Sequence, residues 1–313
     1  MADGAVSKPA WRITFDGAAR VKAVLVGVAF IWLFWDQLAL LPGLPLGRLV
    51  YQWLHKSDWS HGPIIPLFSA YLVYSRWDEI RRCPIRGTWV GLAILLAGMA
   101  FYAYALFGVT IGYFIPLGML ICLLGVIIYL CGLPAMWYLW VPWLYLFFAV
   151  PIPQRMYFFL TDPLQKWAAT FATTVLSLHP QLTIQHDAYD IVAIYHGVAH
   201  RLSVDDACSG MRSTMTLCAL GVAIAFLSDR PWWQRLVLIA ACPPIAVFCN
   251  FIRVLITCYL HVFVGAEYAQ GNYHTLLGLV MLAVAFTVFS ALAWVLRNLV
   301  VSEPETPDEP AAH

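Results

Sequence analysis

Cys208, Arg253 and His274 are the side chains in this sequence whose types and settings could do chemistry together. Cys208 stands in the stretch Leu202-Ser203-Val204-Asp205-Asp206-Ala207-Cys208-Ser209-Gly210-Met211-Arg212-Ser213, where acids and hydroxyls crowd around a thiol. The thiolate is the reactive form, and a thiol ionises more readily at a helix N-terminus or beside a cation. An apolar run, 214–227, follows directly. The thiol would therefore meet free backbone N–H groups and the positive end of a helix dipole. Gly210 would let a substrate backbone approach, and Arg212 lies about one helical turn beyond the cysteine. Arg253 sits inside apolar sequence, where an arginine is costly and marks a functional site by default. Its planar fork suits a carbonyl or a developing oxyanion, and Asn250, one turn earlier, could orient it. His274 opens the last apolar run; a neutral imidazole there can take the thiol proton and return it to a leaving amine. Together these groups describe covalent acyl transfer at a membrane edge.

Other readings compete. Cys122, Cys131, Cys218, Cys242, Cys249 and Cys258 lie in apolar sequence and read as small buried hydrophobes, while Cys83 lies in a charged loop beside Arg82. A membrane arginine can be structural or snorkel to the interface, and a histidine at a helix start can be a cap. His55, His61, His179, His186, His196 and His200 compete with His274 as the base. They also raise a metal site, but Gly197 and Val198 argue against a helix joining His196 to His200, and no metal or other cofactor is expected. What favours the cysteine site is that separate topology arguments put all three residues on one face.

The elements that must position them are membrane helices. Of 313 residues, 62% are hydrophobic and only 11% charged, and mean hydropathy is +0.75. Soluble domains carry about 25% charge, so the composition is that of an all-α polytopic membrane protein. The net charge of +1 gives no basic face for nucleic acid. Apolar runs fall at 21–41, 62–77, 89–107, 112–131, 134–151, 209–227, 236–263 and 274–296, predicting about eight spans. Pro243-Pro244 should bend or break the seventh. The polar opening, Met1 to Arg20, predicts no cleaved signal peptide and a retained first helix.

Lysine and arginine favour the ends and loops assigned to the cytoplasm: Lys8, Arg12, Arg20 and Lys22, then Arg76, Arg81, Arg82 and Arg86, then Arg230, Arg235 and Arg297. That bias puts residues 1–20 and the acidic, proline-rich, disordered tail 298–313 in the cytoplasm. The outer face then carries 42–61 and the larger segment 152–207. The latter should hold an amphipathic helix over 156–178 and a small hairpin from 182–185 and 190–194, with Gly197 in a turn.

At these residues the chain resembles the exosortase family, the bacterial branch of the exosortase/archaeosortase membrane transpeptidases. The resemblance rests on Asp206-Ala207-Cys208-Ser209-Gly210-Met211-Arg212-Ser213, on Asn250-Phe251-Ile252-Arg253-Val254, and on His274 followed by Gly278. Trp59-Ser60-His61-Gly62-Pro63 resembles the family's first outer loop, and the likeness covers 21–297. Asp206 stands where the family usually has Glu, and Phe251 where it usually has Gly. The resemblance implies Cys208 as nucleophile, Arg253 as stabiliser of the oxyanion or thiolate, and His274 as general acid and base. Asp206, Ser209, Gly210, Arg212, Asn250 and His61 would support them. It further implies a bacterial inner-membrane enzyme working at the periplasmic face. The substrates would be secreted proteins ending in a Pro-Glu-Pro-like motif, a hydrophobic helix and a basic end, passed to an unidentified acceptor nucleophile, often where exopolysaccharide is made. The rival readings are a polytopic transporter or an assembly scaffold in exopolysaccharide export. A transporter would spread charge through mid-membrane, whereas here polar residues cluster at the outer edge.

Overall fold

A computed structural model describes residues 17–39, 47–83, 87–109, 112–204, 211–227, 230–269 and 271–299. The chain divides into two compact units, Met1–Pro163 and Leu164–His313. The described residues of the first are helical: α1 Gly17–Leu33, α2 Trp35–Leu38, α3 Arg48–His55, α4 Ile64–Ser75, α5 Trp77–Ile80, α6 Trp89–Tyr104, α7 Phe114–Cys131 and α8 Leu133–Tyr145. A π-helical turn, Ala105–Val109, extends α6. Helices α6 and α7 pack closely because glycines remove the side chains between them: Gly91 faces the Tyr129 backbone and Gly125 faces Leu95.

Helix α9, Gln154–Leu176, runs from the end of the first unit into the second and realises the expected amphipathic helix. Three antiparallel strands follow: β1 Leu182–Asp187, β2 Asp190–Tyr195 and β3 Val198–Ser203, in the order β1-β2-β3. The expected hairpin is thus the first two strands of a three-stranded meander. The β2–β3 connection is His196-Gly197, both with positive φ (49° and 79°), the conformation of a two-residue primed turn. β3 lacked an apolar alternation because it is an edge strand whose side chains are mostly exposed or half-buried. Ile191 and Ala193 of β2 are buried, packing with Ala168, Ala169 and Ala172 of α9.

Helices α10 Met211–Leu227, α11 Trp232–Phe263 and α12 Gly271–Leu299 complete the second unit and contact one another pairwise. Pro243-Pro244 do not divide the seventh run: α11 is one helix of 32 residues. A membrane helix tolerates proline where neighbouring helices and side chains re-satisfy the freed groups, here the carbonyls of Ile239 and Ala240. A Cβ at Gly221 would collide with Cys242 Sγ, so glycine sets the close approach of α10 and α11.

All eight apolar runs are helical in their described parts, but they differ in length. Four helices are long and apolar enough to cross a membrane: Trp89–Gly108, Phe114–Cys131, Trp232–Phe263 and Thr275–Leu299. The other four runs form shorter apolar helices, Ala23–Leu33, Ile64–Ser75, Leu133–Ala149 and Thr214–Leu227. At 1.5 Å per residue, a twelve-residue helix such as α4 covers about 18 Å of a hydrocarbon core about 30 Å thick. The protein is therefore a helical membrane protein, with four full-length candidate spans and four short ones among the described residues. Residues 1–16 and 300–313, which include most of the expected N-terminal segment and tail, lie outside them.

Candidate active site

α10, α11 and α12 meet around Arg253. The guanidinium is half-buried on α11 and lines a small void of about 10 Å³ together with Asn250 and Cys249. Leu217 closes the void from α10, and Met281, Leu282 and Ala285 close it from α12. Asn250 is 5% exposed, and among the described residues its Oδ1 has no hydrogen-bond partner. A buried carbonyl oxygen in that state is destabilising by roughly 1–3 kcal/mol unless a ligand, water or other chain segment satisfies it. The Arg253 backbone carbonyl accepts a bond from Thr257 Oγ1 at 2.9 Å, which ties the arginine's turn to the next one.

The sequence placed His274 and Gly278 together, and helical geometry explains the pairing. Positions 278, 281, 282 and 285 recur at helical spacing on α12 and share the face that meets Arg253, and 274 stands one turn before 278 in the sequence of the same helix. A methyl group built on Gly278 would stand 3.6 Å from Arg253 Nη1. Glycine at 278 therefore lets the guanidinium lie close against the α12 backbone. The His274 side chain lies outside the described residues, as do Asp206, Cys208, Ser209 and Gly210; Arg212 is described only in its backbone, on the first turn of α10. Cys208 precedes the first residue of α10 by three positions. β3 leads into the same segment, and Val204 N bonds back to the Tyr189 carbonyl at 2.9 Å. No Asp or Glu occurs in α10, α11 or α12. Any carboxylate partner of Arg253 comes from outside these helices, and Asp205 and Asp206 are the acids directly preceding α10.

His61 belongs to the first unit, where it is 7% exposed and its ring lies 5.7 Å from that of Trp59. Its neighbour Gly62 presses on the Trp53 indole, whose Nε1 donates to the Ala149 carbonyl at 2.7 Å. The Trp59-Ser60-His61-Gly62-Pro63 piece is thus built into packing within its own unit. Of the competing histidines, His55 stacks on Tyr51 in α3, His179 packs on Phe263, His186 is on β1 and His196 is in the turn. His200 meets a residue that sequence reasoning passed over, His261, which lies two turns beyond Arg253 on α11. The available signal was an ionisable residue inside an apolar run, the same signal that marked Arg253.

Fold and site together define a helical membrane protein with a half-buried arginine and a buried asparagine where three helices converge, in a chain whose cysteine-bearing segment directly precedes the first of those helices in sequence. The profile of one family, transmembrane exosortase, matches residues 53–291. The chain belongs to the transmembrane exosortase family. No curated protein and no solved structure matches it.

Proposed function

We propose that the chain is a cysteine transpeptidase of the bacterial inner membrane that removes C-terminal sorting signals of the Pro-Glu-Pro type from secreted proteins. Cys208 attacks the scissile carbonyl, and the tetrahedral intermediate collapses to a thioester while the C-terminal fragment leaves as an amine. His274 takes the thiol proton and delivers it to that amine. Arg253, oriented by Asn250, carries the negative charge on the carbonyl oxygen; Asp206, Ser209, Gly210, Arg212 and His61 support the arrangement. A nucleophile from the acceptor then resolves the thioester, His274 now accepting its proton. In this reading the four long and four short apolar helices make eight crossings, which leave both termini on one side, and the lysine and arginine bias makes that side the cytoplasm and the site periplasmic. The substrate's own apolar helix then arrives through the lipid.

The observation that carries this reading is the Arg253–Asn250 pocket, faced by Gly278, in a chain whose family match spans 53–291. The test is co-expression of the chain with a secreted protein bearing motif, hydrophobic helix and basic end. The wild type shortens the substrate and forms a thioester adduct that hydroxylamine releases. Cys208→Ala and Cys208→Ser insert normally yet accumulate full-length substrate, because a hydroxyl is a poor nucleophile beside a neutral histidine. Normal processing by Cys208→Ala would exclude covalent cysteine catalysis and leave the scaffold reading.

A further inference from the structure

Between the sheet and α11, one ionisable side chain is buried where an apolar one would pack. His261 is 7% exposed on α11, in the packing formed by Cys258 and Val262 of the same helix, Leu176 of α9 and Ile191 of β2. From β3, His200 meets its ring edge-on, with centroids 6.0 Å apart and planes at 83°. The backbone carbonyl of Arg201 faces the ring as a hydrogen-bond acceptor. Among the described residues, Nδ1 of His261 is buried without a hydrogen-bond partner, and the ring borders a void of about 10 Å³. A leucine would fill that space with no polar atom left over, so packing alone does not account for an imidazole here.

The position matters because of what lies at either end. His261 is eight residues, about 12 Å along the helix, from Arg253. The Arg201 carbonyl is on β3, which runs past Val204 into the segment bearing Cys208. Apolar packing is non-directional and would let β3 slide along α11, whereas a bond between a ring N–H and a carbonyl is directional. We propose that His261 is a positioning residue that holds β3 at one offset along α11 through His200 and the Arg201 carbonyl, and so sets Cys208 against Arg253. The inference rests on the transpeptidase reading.

The test uses the full-length chain in lipid nanodiscs, with His261→Leu and His261→Gln, the latter keeping an N–H donor for the Arg201 carbonyl. Thermal midpoint is measured beside the alkylation rate of Cys208 by iodoacetamide, mapped by peptide mass, with Cys83 as the reference thiol in the same molecule. The expected wild-type rate at Cys208 is at least about tenfold that at Cys83. His261→Leu should unfold at the same or a higher temperature while its Cys208 rate falls about fivefold or more and Cys83 is unchanged; His261→Gln should restore most of the rate. With substrate, the leucine variant should lose kcat and keep KM. A leucine variant with the wild-type Cys208 rate overturns the positioning role. So does one that loses midpoint and rate together without rescue by glutamine, since that is packing. A wild-type Cys208 no faster than Cys83 overturns the transpeptidase reading and the positioning role with it; a fast Cys208 indifferent to His261 overturns the positioning role alone.

Discussion

Replacing Arg253 by lysine separates the charge of the group from its shape. Both side chains are cations, but only the guanidinium offers a rigid planar fork of donors. The void beside it is about 10 Å³, with apolar side chains on most of its wall, so a strongly hydrated ammonium has little room for its water there. Arg253→Lys is expected to insert and fold normally and to lower kcat for substrate processing by about a hundredfold, the scale of losing an oxyanion donor. Single-turnover thioester formation measures it; near-normal turnover would reduce Arg253 to a plain charge. The arginine was legible in the sequence because an ionisable residue in an apolar run has no bland setting. Asn250 was legible only through its spacing from Arg253, and His261 was not singled out, since one histidine near a helix end has many ordinary uses.

At the scale of elements, α12 comes against the guanidinium of α11 at Gly278. Gly278 supplies the space on the α12 side. An alanine there would make ordinary van der Waals contact at 3.6 Å, whereas a leucine would occupy the place of the guanidinium. Gly278→Ala should keep most activity, and Gly278→Leu should lose about a hundredfold through displacement of about 1 Å, with membrane level unchanged on immunoblots. Equal activity in the two variants would mean that α12 does not shape the site. The helices were readable from the lengths of apolar runs, and α9 from its amphipathic pattern. The third strand was not, because Val198–Ser203 is an edge strand with no buried alternate face to leave a period-two pattern. Pro243-Pro244 left two outcomes open in the sequence, a bend or a break, and the structure shows one helix, since packing against neighbouring helices lets a membrane helix carry proline.

Across the whole molecule, the distribution of lysine and arginine argues for a cytoplasmic loop around Cys83 and a periplasmic segment around Cys208. A membrane-impermeant maleimide applied to spheroplasts should modify Cys208 and spare Cys83; inverted inner-membrane vesicles should show the reverse. Labelling of Cys208 only in inverted vesicles would invert the topology and move the site to the cytoplasm. Charge counting speaks to this level because translocation responds to basic residues in short loops, independent of how the helices pack. The division into two units at Pro163 was not accessible, since no shift in composition marks it and a single helix, α9, runs through it.

The short apolar helices have a consequence for the lipid around them. Helix α4, twelve residues long, reaches about 18 Å, and a bilayer that adjusts to such a length must thin beside it, drawing headgroups and water inward. On the proposed function, a thinned annulus would shorten the distance by which a substrate's basic end and its periplasmic motif must be separated to be held at once. Hydrophobic mismatch would then act as a ruler on the incoming helix. In nanodiscs of defined chain length, turnover should rise as the acyl chains shorten from about 22 to about 14 carbons, and an activity indifferent to thickness would show that the protein leaves its bilayer undeformed.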